Sequence, residues 1–486
     1  MPDFLALKST FEKDDDYPPR AFELAALGKV LDGTLYDGLP HPFGEEKNKS
    51  NEYIPLAKRR PSARTRICRT VVNDSVSLLF SEGHFPAAES PDEATRTGLE
   101  SIIKDSALNA VMIDAATRGS VGSVAILMRV LKARVFFTVL QTTYLTPKWK
   151  DEAPDTLERV TERYKLKGAG LRASGYTVKD DELTADFWFQ REWDEKSETW
   201  YLPLKKDATA PDAKPVVDTA RTTTHNLGFV PMVWARNLPG GDGVDGDPTF
   251  PVEAIDTQIE ADYLLSQGGR GLKYQSDPTL HIKEPAFGDG AIVKGAANAI
   301  ITSAEGDAKL LEISGDAASA VMDWVKGLRE IALEGAGGNR ANADKLSAAQ
   351  SGRAMELMNQ ALIWLADKLR ISYGEGALLQ LLKMVCRASQ KIDLMTVDGD
   401  KLPKMEPKGL ALRWPAWYQP TYADKQTEAT TLDVLRLSGL ISQETAVKAI
   451  APSYDIEDVQ KEIAQIKPAP NAELPKEPKP DPNSKD

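Results

Sequence analysis

Ser347-Ala-Ala-Gln-Ser-Gly-Arg-Ala-Met-Glu-Leu-Met-Asn-Gln-Ala-Leu-Ile-Trp-Leu-Ala-Asp-Lys-Leu369 is the stretch that organises the chain. Ser347 and Gln350 stand at capping-box spacing, where each side chain satisfies the other residue's free backbone N–H. Met355, Met358, Leu362, Leu365 and Leu369 then recur at steps of three and four, the period of a helix face. No proline follows until Pro403, and Leu378, Leu379, Leu381, Leu382 and Val385 resume the pattern to about Ser389. Tyr373-Gly374-Glu375-Gly376 lies between, so a bend is expected there, since glycine weakens a helix interior. Some 40 residues at 1.5 Å each reach about 60 Å, longer than a small domain is wide. Such a helix reads as a spine joining distant parts of a molecule.

Working outward, a connector of small residues, Gly335 to Lys345, precedes the spine. Before it comes a helix with Val321, Trp324, Val325, Leu328, Ile331 and Ala332 on one side. Another helix starts at Val252, Ile255 and Ile259 and runs to about Gly271. Between the two sits a compact β-type insertion, with strands expected at 279–283, 291–294, 299–302 and 309–313. The pattern is a stalk of two helices with a knob at its end.

Further upstream, Val124–Leu131, Arg134–Tyr144, Asp155–Lys165, Asp186–Trp193 and Glu198–Leu202 are rich in β-branched and aromatic residues, as strands are. Helices are expected at Ser62–Phe80, Asp92–Lys104 and Ala107–Gly119. Residues 1–60, with the acidic run Glu12-Lys-Asp-Asp-Asp16, read as an extended arm with short helices. After the spine, Gly409–Tyr418 should rejoin the β-rich region. Thr427–Ser438, Ser442–Ala451 and Ile456–Ile466 read as helices. The last 20 residues hold six prolines and many charges, a composition that cannot bury apolar area and predicts disorder. The fold class is therefore α+β, mainly α.

Composition narrows the function. A chain of 486 residues exceeds one ordinary domain. A net charge of −12 argues against a protein that grips nucleic acid over a broad basic face. Two cysteines, Cys68 and Cys386, make neither a disulfide framework nor a thiolate metal site. The start, Met1-Pro-Asp-Phe-Leu, lacks a secretory pattern. The most apolar window, 124–140, is interrupted by Arg129, Lys132 and Arg134, so no membrane span is expected. A cytoplasmic site of folding follows as the expectation, with no cofactor and no metal.

No catalytic constellation stands out: there is no phosphate loop, no His-Glu-x-x-His and no Gly-x-Ser-x-Gly. Glu192, Asp194 and Glu195 read as a solvated strand end. Gly240-Gly-Asp-Gly-Val-Asp-Gly-Asp247 looks like one copy of a calcium-binding glycine-aspartate repeat, but one copy reads more simply as a turn. His225 reads as a packed or hydrogen-bonding side chain. Glu253, Asp256 and Glu260, at i, i+3 and i+7, share one helix face. That face is either ordinary surface or, if stalks form a ring, a channel wall that repels a polyanion. The 335–346 loop is either a plain connector or a mobile loop offering a few cations to a phosphate backbone.

Longer strings carry more information than these motifs. Asn73-Asp-Ser-Val-Ser-Leu-Leu-Phe-Ser-Glu-Gly-His-Phe-Pro86, His225 to Pro239, Ile255 to Gln267, Arg270 to Pro278 and Ser351 to Gln360 together resemble portal proteins of tailed bacteriophages, over roughly residues 60–450. The resemblance implies a non-enzymatic dodecameric ring at one capsid vertex, assembled in the host cytoplasm. It divides the chain into an arm (1–60), a wing (61–250, returning at 389–422), a stem of two helices (251–274 and 317–334) and a clip between them (275–316). A tunnel loop (335–350), the spine (351–388), a crown (423–466) and a tail (467–486) complete it. Double-stranded DNA would pass through without sequence preference, touched by Arg340 and Lys345 with Asn339 and Asn342 beside them. Glu253, Asp256 and Glu260 would line the channel wall. The expected partners are the terminase large subunit, a head–tail adaptor, the major capsid protein and scaffold. The alternatives are another head–tail connector or tail ring component, or an enzyme with an unrecognised site.

Overall fold

The computed structural model describes residues 2–206, 215–276, 279–285, 302–311, 316–338, 356–357, 359–418, 421–454, 456 and 459–466. Helix covers about 45% of it and strand about 22%, so the class is mixed with helix dominant. The chain divides into two compact units, Met1–Arg340 with Asn359–Trp417, and Ala341–Met358 with Tyr418–Asp486.

The centre of the first unit is a three-stranded antiparallel sheet in the order Met232–Arg236, Ser123–Leu131, Arg134–Gln141. The two-residue turn Lys132-Ala133 joins the last two strands with both residues left-handed, φ 48° and 64°. That primed geometry matches the strand twist. Val124 to Met128 are buried without alternation because both faces of their strand are covered. Val124, Ile126, Met128, Val233 and Ala235 face a large helical core. Ala125, Leu127 and Met232 face a second sheet, together with Leu145, Val160 and Trp193. The second sheet runs Thr223–Thr224, Ser197–Trp200, Asp186–Trp193, Ala153–Lys167, Leu145–Lys150, with Leu204–Lys205 also pairing to Asp186–Trp193. Each fully buried aliphatic side chain contributes about 1.5–3 kcal/mol.

Helices Ile67–Phe80, Glu93–Asp105 and Leu108–Gly119 form much of the helical layer. Asp92 caps the second of them by accepting the Thr95 N–H at 2.9 Å. The first 60 residues are not a detached arm. Phe4, Leu7, Val30, Leu35, Tyr36 and Phe43 are buried in the same core, and Arg20 is ion-paired to Asp245. The expectation of an extended arm overweighted proline and charge, and missed that the apolar residues between them reach a distant surface.

Two helices, Val252–Ser276 and Asp316–Gly335, form the stalk. Ala261, Val325 and Leu328 are buried between them, with Leu264, Leu265 and Val321 at the margin. Beyond them lies an antiparallel hairpin, Thr279–Pro285 with Thr302–Leu311, in the register Thr279↔Leu311 to Lys283↔Asp307. The strand expected at 291–294, and most of that expected at 299–302, lie outside the described residues.

The spine is helical from Gln360 to Lys391 in three parts: α over Gln360–Leu369, π over Arg370–Leu378, α over Leu379–Lys391. The π segment coincides with the expected bend. Glu356 and Leu357 are helical, but Asn359 is a turn residue, so the helical period does not run unbroken from the start. The capping box at 347–350 lies outside the described residues. Gly374 admits the Trp414 indole, which a Cβ would strike. Tyr373 Oη donates to Asn237 Oδ1 at 3.0 Å. The Arg370 guanidinium lies between Trp414 and Trp417, 4.6 and 3.2 Å from the ring centroids. Burial lowers its pKa to about 10.

The return segment meets the α+β region through a short ladder. Ala411–Arg413 pairs with Ala87–Glu89 in a separate two-stranded ladder rather than joining either large sheet. Trp414 is drawn to Phe80 and the π segment.

The second unit contains helices Tyr422–Leu437, Gln443–Ile450 and Val459–Gln465. Thr421 and Asp424 form a complete capping box on the first. The terminal 467–486 segment lies outside the described residues.

Candidate channel elements and their anchoring

The first stalk helix is fixed to the body by a polar row. Gln258, Asp262 and Ser266, at i, i+4 and i+8, project from one side of it. Gln258 Oε1 accepts the Cys68 N–H at 2.9 Å. Asp262 Oδ1 accepts the Thr65 N–H at 2.6 Å and its hydroxyl at 2.8 Å, and Oδ2 accepts the Tyr36 hydroxyl at 2.9 Å. Ser266 Oγ accepts the Ala63 N–H at 3.0 Å. Helix Ile67–Phe80 has no cap of its own, because Arg66 is left-handed and no local side chain reaches its first turn. The stalk therefore supplies the cap from nearly 200 residues away. Its carboxylate also sits at the positive end of that helix, where an anion is favoured.

Asp262 is fully buried. Burial raises its pKa above the ordinary carboxylate value, although the hydrogen bonds from Thr65 and Tyr36 oppose this. Nearby, Tyr263 Oη donates to Arg59 O at 2.9 Å. Arg59 is itself buried, donating to Phe43 O and Tyr53 Oη and stacking on both rings.

The acids expected on one open face separate. Glu253 and Glu260 are exposed. Asp256 is half-buried, and its Oδ1 accepts the Phe4 N–H at 2.6 Å. Gln258, Asp262 and Ser266 were not singled out in the sequence. The available signal was polar residues at helical spacing beside Ile255, Ile259 and Tyr263.

The second stalk helix ends where the sequence indicates. Gly337 is left-handed at φ 69°, and Gly338 N–H donates to Leu333 O at 2.7 Å, a glycine C-cap. A Cβ on Gly338 would crowd Val71, and one on Gly337 would touch Leu365 and the Ala361 carbonyl of the spine. The connector thus leaves the body beside the first turn of the spine. Asn339, Arg340, Asn342 and Lys345 lie outside the described residues.

The second stalk helix buries less than its pattern indicated. Val325, Leu328 and Ala332 are buried, but Trp324 and Ile331 are each 56% exposed. They lie seven residues apart, on one stripe.

The remaining candidates resolve singly. Glu192 accepts from Thr161 Oγ1 at 2.9 Å, Asp194 from the Lys196 and Ser197 N–H groups, and Glu195 lies 3.9 Å from Lys150. Asp242 Oδ1 accepts the Val244 and Asp245 N–H groups, and Asp245 is engaged by Arg20 and Ser123. His225 Nδ1 accepts the Leu227 N–H at 3.2 Å, and burial lowers its pKa. Among the described residues, no group of three or more His, Cys, Asp or Glu is placed to hold a metal ion. No helix there is long and apolar enough to cross a membrane.

The sequence model of one family, described as phage portal protein, SPP1 Gp6-like, matches residues 44–474. A comparison with curated proteins finds no match.

Proposed function

The chain belongs to the phage portal protein family, and on that premise we propose that twelve copies close into a ring whose stalks surround a channel for double-stranded DNA. The family is structural rather than enzymatic and belongs to the virion capsid, where it assembles as an oligomeric ring. The observation that carries the reading is the stalk: two packed helices, tied to the body at one end and carrying a β-hairpin at the other. Trp324 and Ile331 support a ring, because an apolar stripe left uncovered in one subunit gains by meeting a neighbour.

In this reading the stalk helices are the stem and the hairpin is the clip. The clip meets the terminase large subunit during packaging and the head–tail adaptor afterwards. The body is the wing, which meets the major capsid protein and scaffold, and helices 422–465 are the crown. Exposed Glu253 and Glu260 keep the channel wall from holding a polyanion. Arg340 and Lys345, with Asn339 and Asn342, touch passing phosphates without reading bases.

Two measurements test this. Images of the purified protein down its axis should show a ring with a central opening; a solid globule under every condition would overturn the ring. Arg340→Ala combined with Lys345→Ala should leave the ring intact and impair DNA packaging or retention. Wild-type packaging by that variant would remove the loop's assigned role.

A further inference from the structure

The Met232–Arg236 strand is the outer strand of the three-stranded sheet. Asn237 N–H donates to Gly122 O at 2.9 Å, and Met128 N–H donates to Pro231 O at 2.8 Å. Hydrogen-bonded positions alternate in an antiparallel ladder. Pro231, Val233, Ala235 and Asn237 therefore turn their backbone groups toward the neighbouring strand, and Trp234 and Arg236 turn theirs away. Among the described residues, no strand pairs with that outer edge, which stays open up to Leu238, where Asp247 bridges it.

The edge is recessed. The whole strand lines a cleft of about 890 Å³. One wall is the spine, through Ser372, Gly376, Gln380, Met384 and Arg387; the other is the hairpin carrying Trp149 and Asp155. Tyr373 bonds Asn237, and Lys391 Nζ donates to Leu227 O at 2.5 Å. The spine thus runs antiparallel to the edge strand, with Arg387 near the start of the strand and Arg236 at its end. Arg387 is exposed with no ion pair among the described residues. Arg236 is also exposed, and its guanidinium donates to Gly243 O at 3.2 Å.

An unpaired edge is a template for another strand. Here the edge lies at the floor of a cleft with the spine on one wall and the hairpin on the other. We propose that this cleft takes one extended segment of a partner protein, with apolar side chains at alternate positions and a carboxylate at each end. The backbone of Trp234 and Arg236 would pair with it. Its apolar side chains, all on one face, would meet Trp149 and Trp234, and its carboxylates Arg236 and Arg387. A trial spacing of roughly six residues between the two carboxylates spans about 20 Å in an extended chain. Asp155, on the hairpin wall, disfavours a carboxylate in the middle. The proposal is independent of the DNA channel.

The probe is a fluorescein-labelled peptide, acetyl-Glu-Val-Thr-Val-Thr-Val-Glu-amide, titrated into the intact protein. Saturable anisotropy is expected, with slowed hydrogen exchange at the Trp234 and Arg236 amides. N-methylation of alternate peptide nitrogens should abolish binding. Arg236→Glu with Arg387→Glu should weaken the probe about tenfold or more, the scale of one charge-assisted hydrogen bond, and favour a lysine-ended version. Both arginines are exposed, so thermal unfolding should be unchanged. Absent binding, or binding indifferent to N-methylation, overturns the proposal. Edge amides already protected in the purified protein, together with failure of the probe, would mean that a second copy holds the edge, and would also overturn it.

Discussion

At the scale of the residue, Asp262 is the most consequential side chain described. It is buried, accepts three hydrogen bonds and ties the stalk to helix Ile67–Phe80. Asp262→Ala should cost about 2–4 kcal/mol, because it strands the Thr65 N–H and two hydroxyls away from water; urea unfolding measures this. The pH dependence follows from the raised pKa. The native state holds this proton more tightly than the unfolded chain. The site's contribution is fully present below the unfolded value near ~3.9 and is lost as pH rises through the folded value. Asp262→Asn removes the titration, so the wild type should gain on that variant as pH falls through the same window. Parallel pH profiles of the two urea midpoints would show that Asp262 does not titrate as described.

At the scale of the element, the π segment of the spine is maintained by close approach rather than by loose packing. The Trp414 ring occupies the space over Gly374, and Arg370 and Phe80 pack against that ring. Gly374→Ala should therefore cost about 1–3 kcal/mol, the range for overpacking a filled site. Gly376→Ala meets only a helix carbonyl, at 3.4 Å. It should be neutral or stabilising by up to about 1 kcal/mol, from reduced backbone freedom. Thermal unfolding of the two variants compares them directly, and equal effects would remove the assigned role of Trp414.

At the scale of the whole molecule, the proposed ring contact at Trp324 and Ile331 can be tested separately from subunit folding. Both are more than half exposed, so Trp324→Ser with Ile331→Ser should change subunit stability by only about 0.5 kcal/mol per site. The ring should weaken, read as a shift to smaller species in native mass spectra. An unchanged ring would place the subunit contact elsewhere. The stalk packing of Val325 and Leu328 is left intact by this pair.

Local period was legible without coordinates. The strand pair Val124–Leu140, the helices near 67–80, 93–105 and 108–119, the two stalk helices and the irregularity at Tyr373–Gly376, seen as a π segment, all follow from residues within a turn or two of one another. The long strings at 73–86, 225–239 and 255–267 also carried the family, which the match over residues 44–474 bears out. What the sequence left open was always a matter of distant partners. Residues 1–60 enter the core because Phe4, Leu7 and Tyr36 find surfaces more than 200 residues away. Ala411–Arg413 pairs with Ala87–Glu89, and Asp262 lies under Tyr36 and Thr65 rather than in solvent. Periodicity states which side of an element is apolar. Only the tertiary structure decides what covers that side, because burial depends on whichever segment the rest of the chain brings across from it.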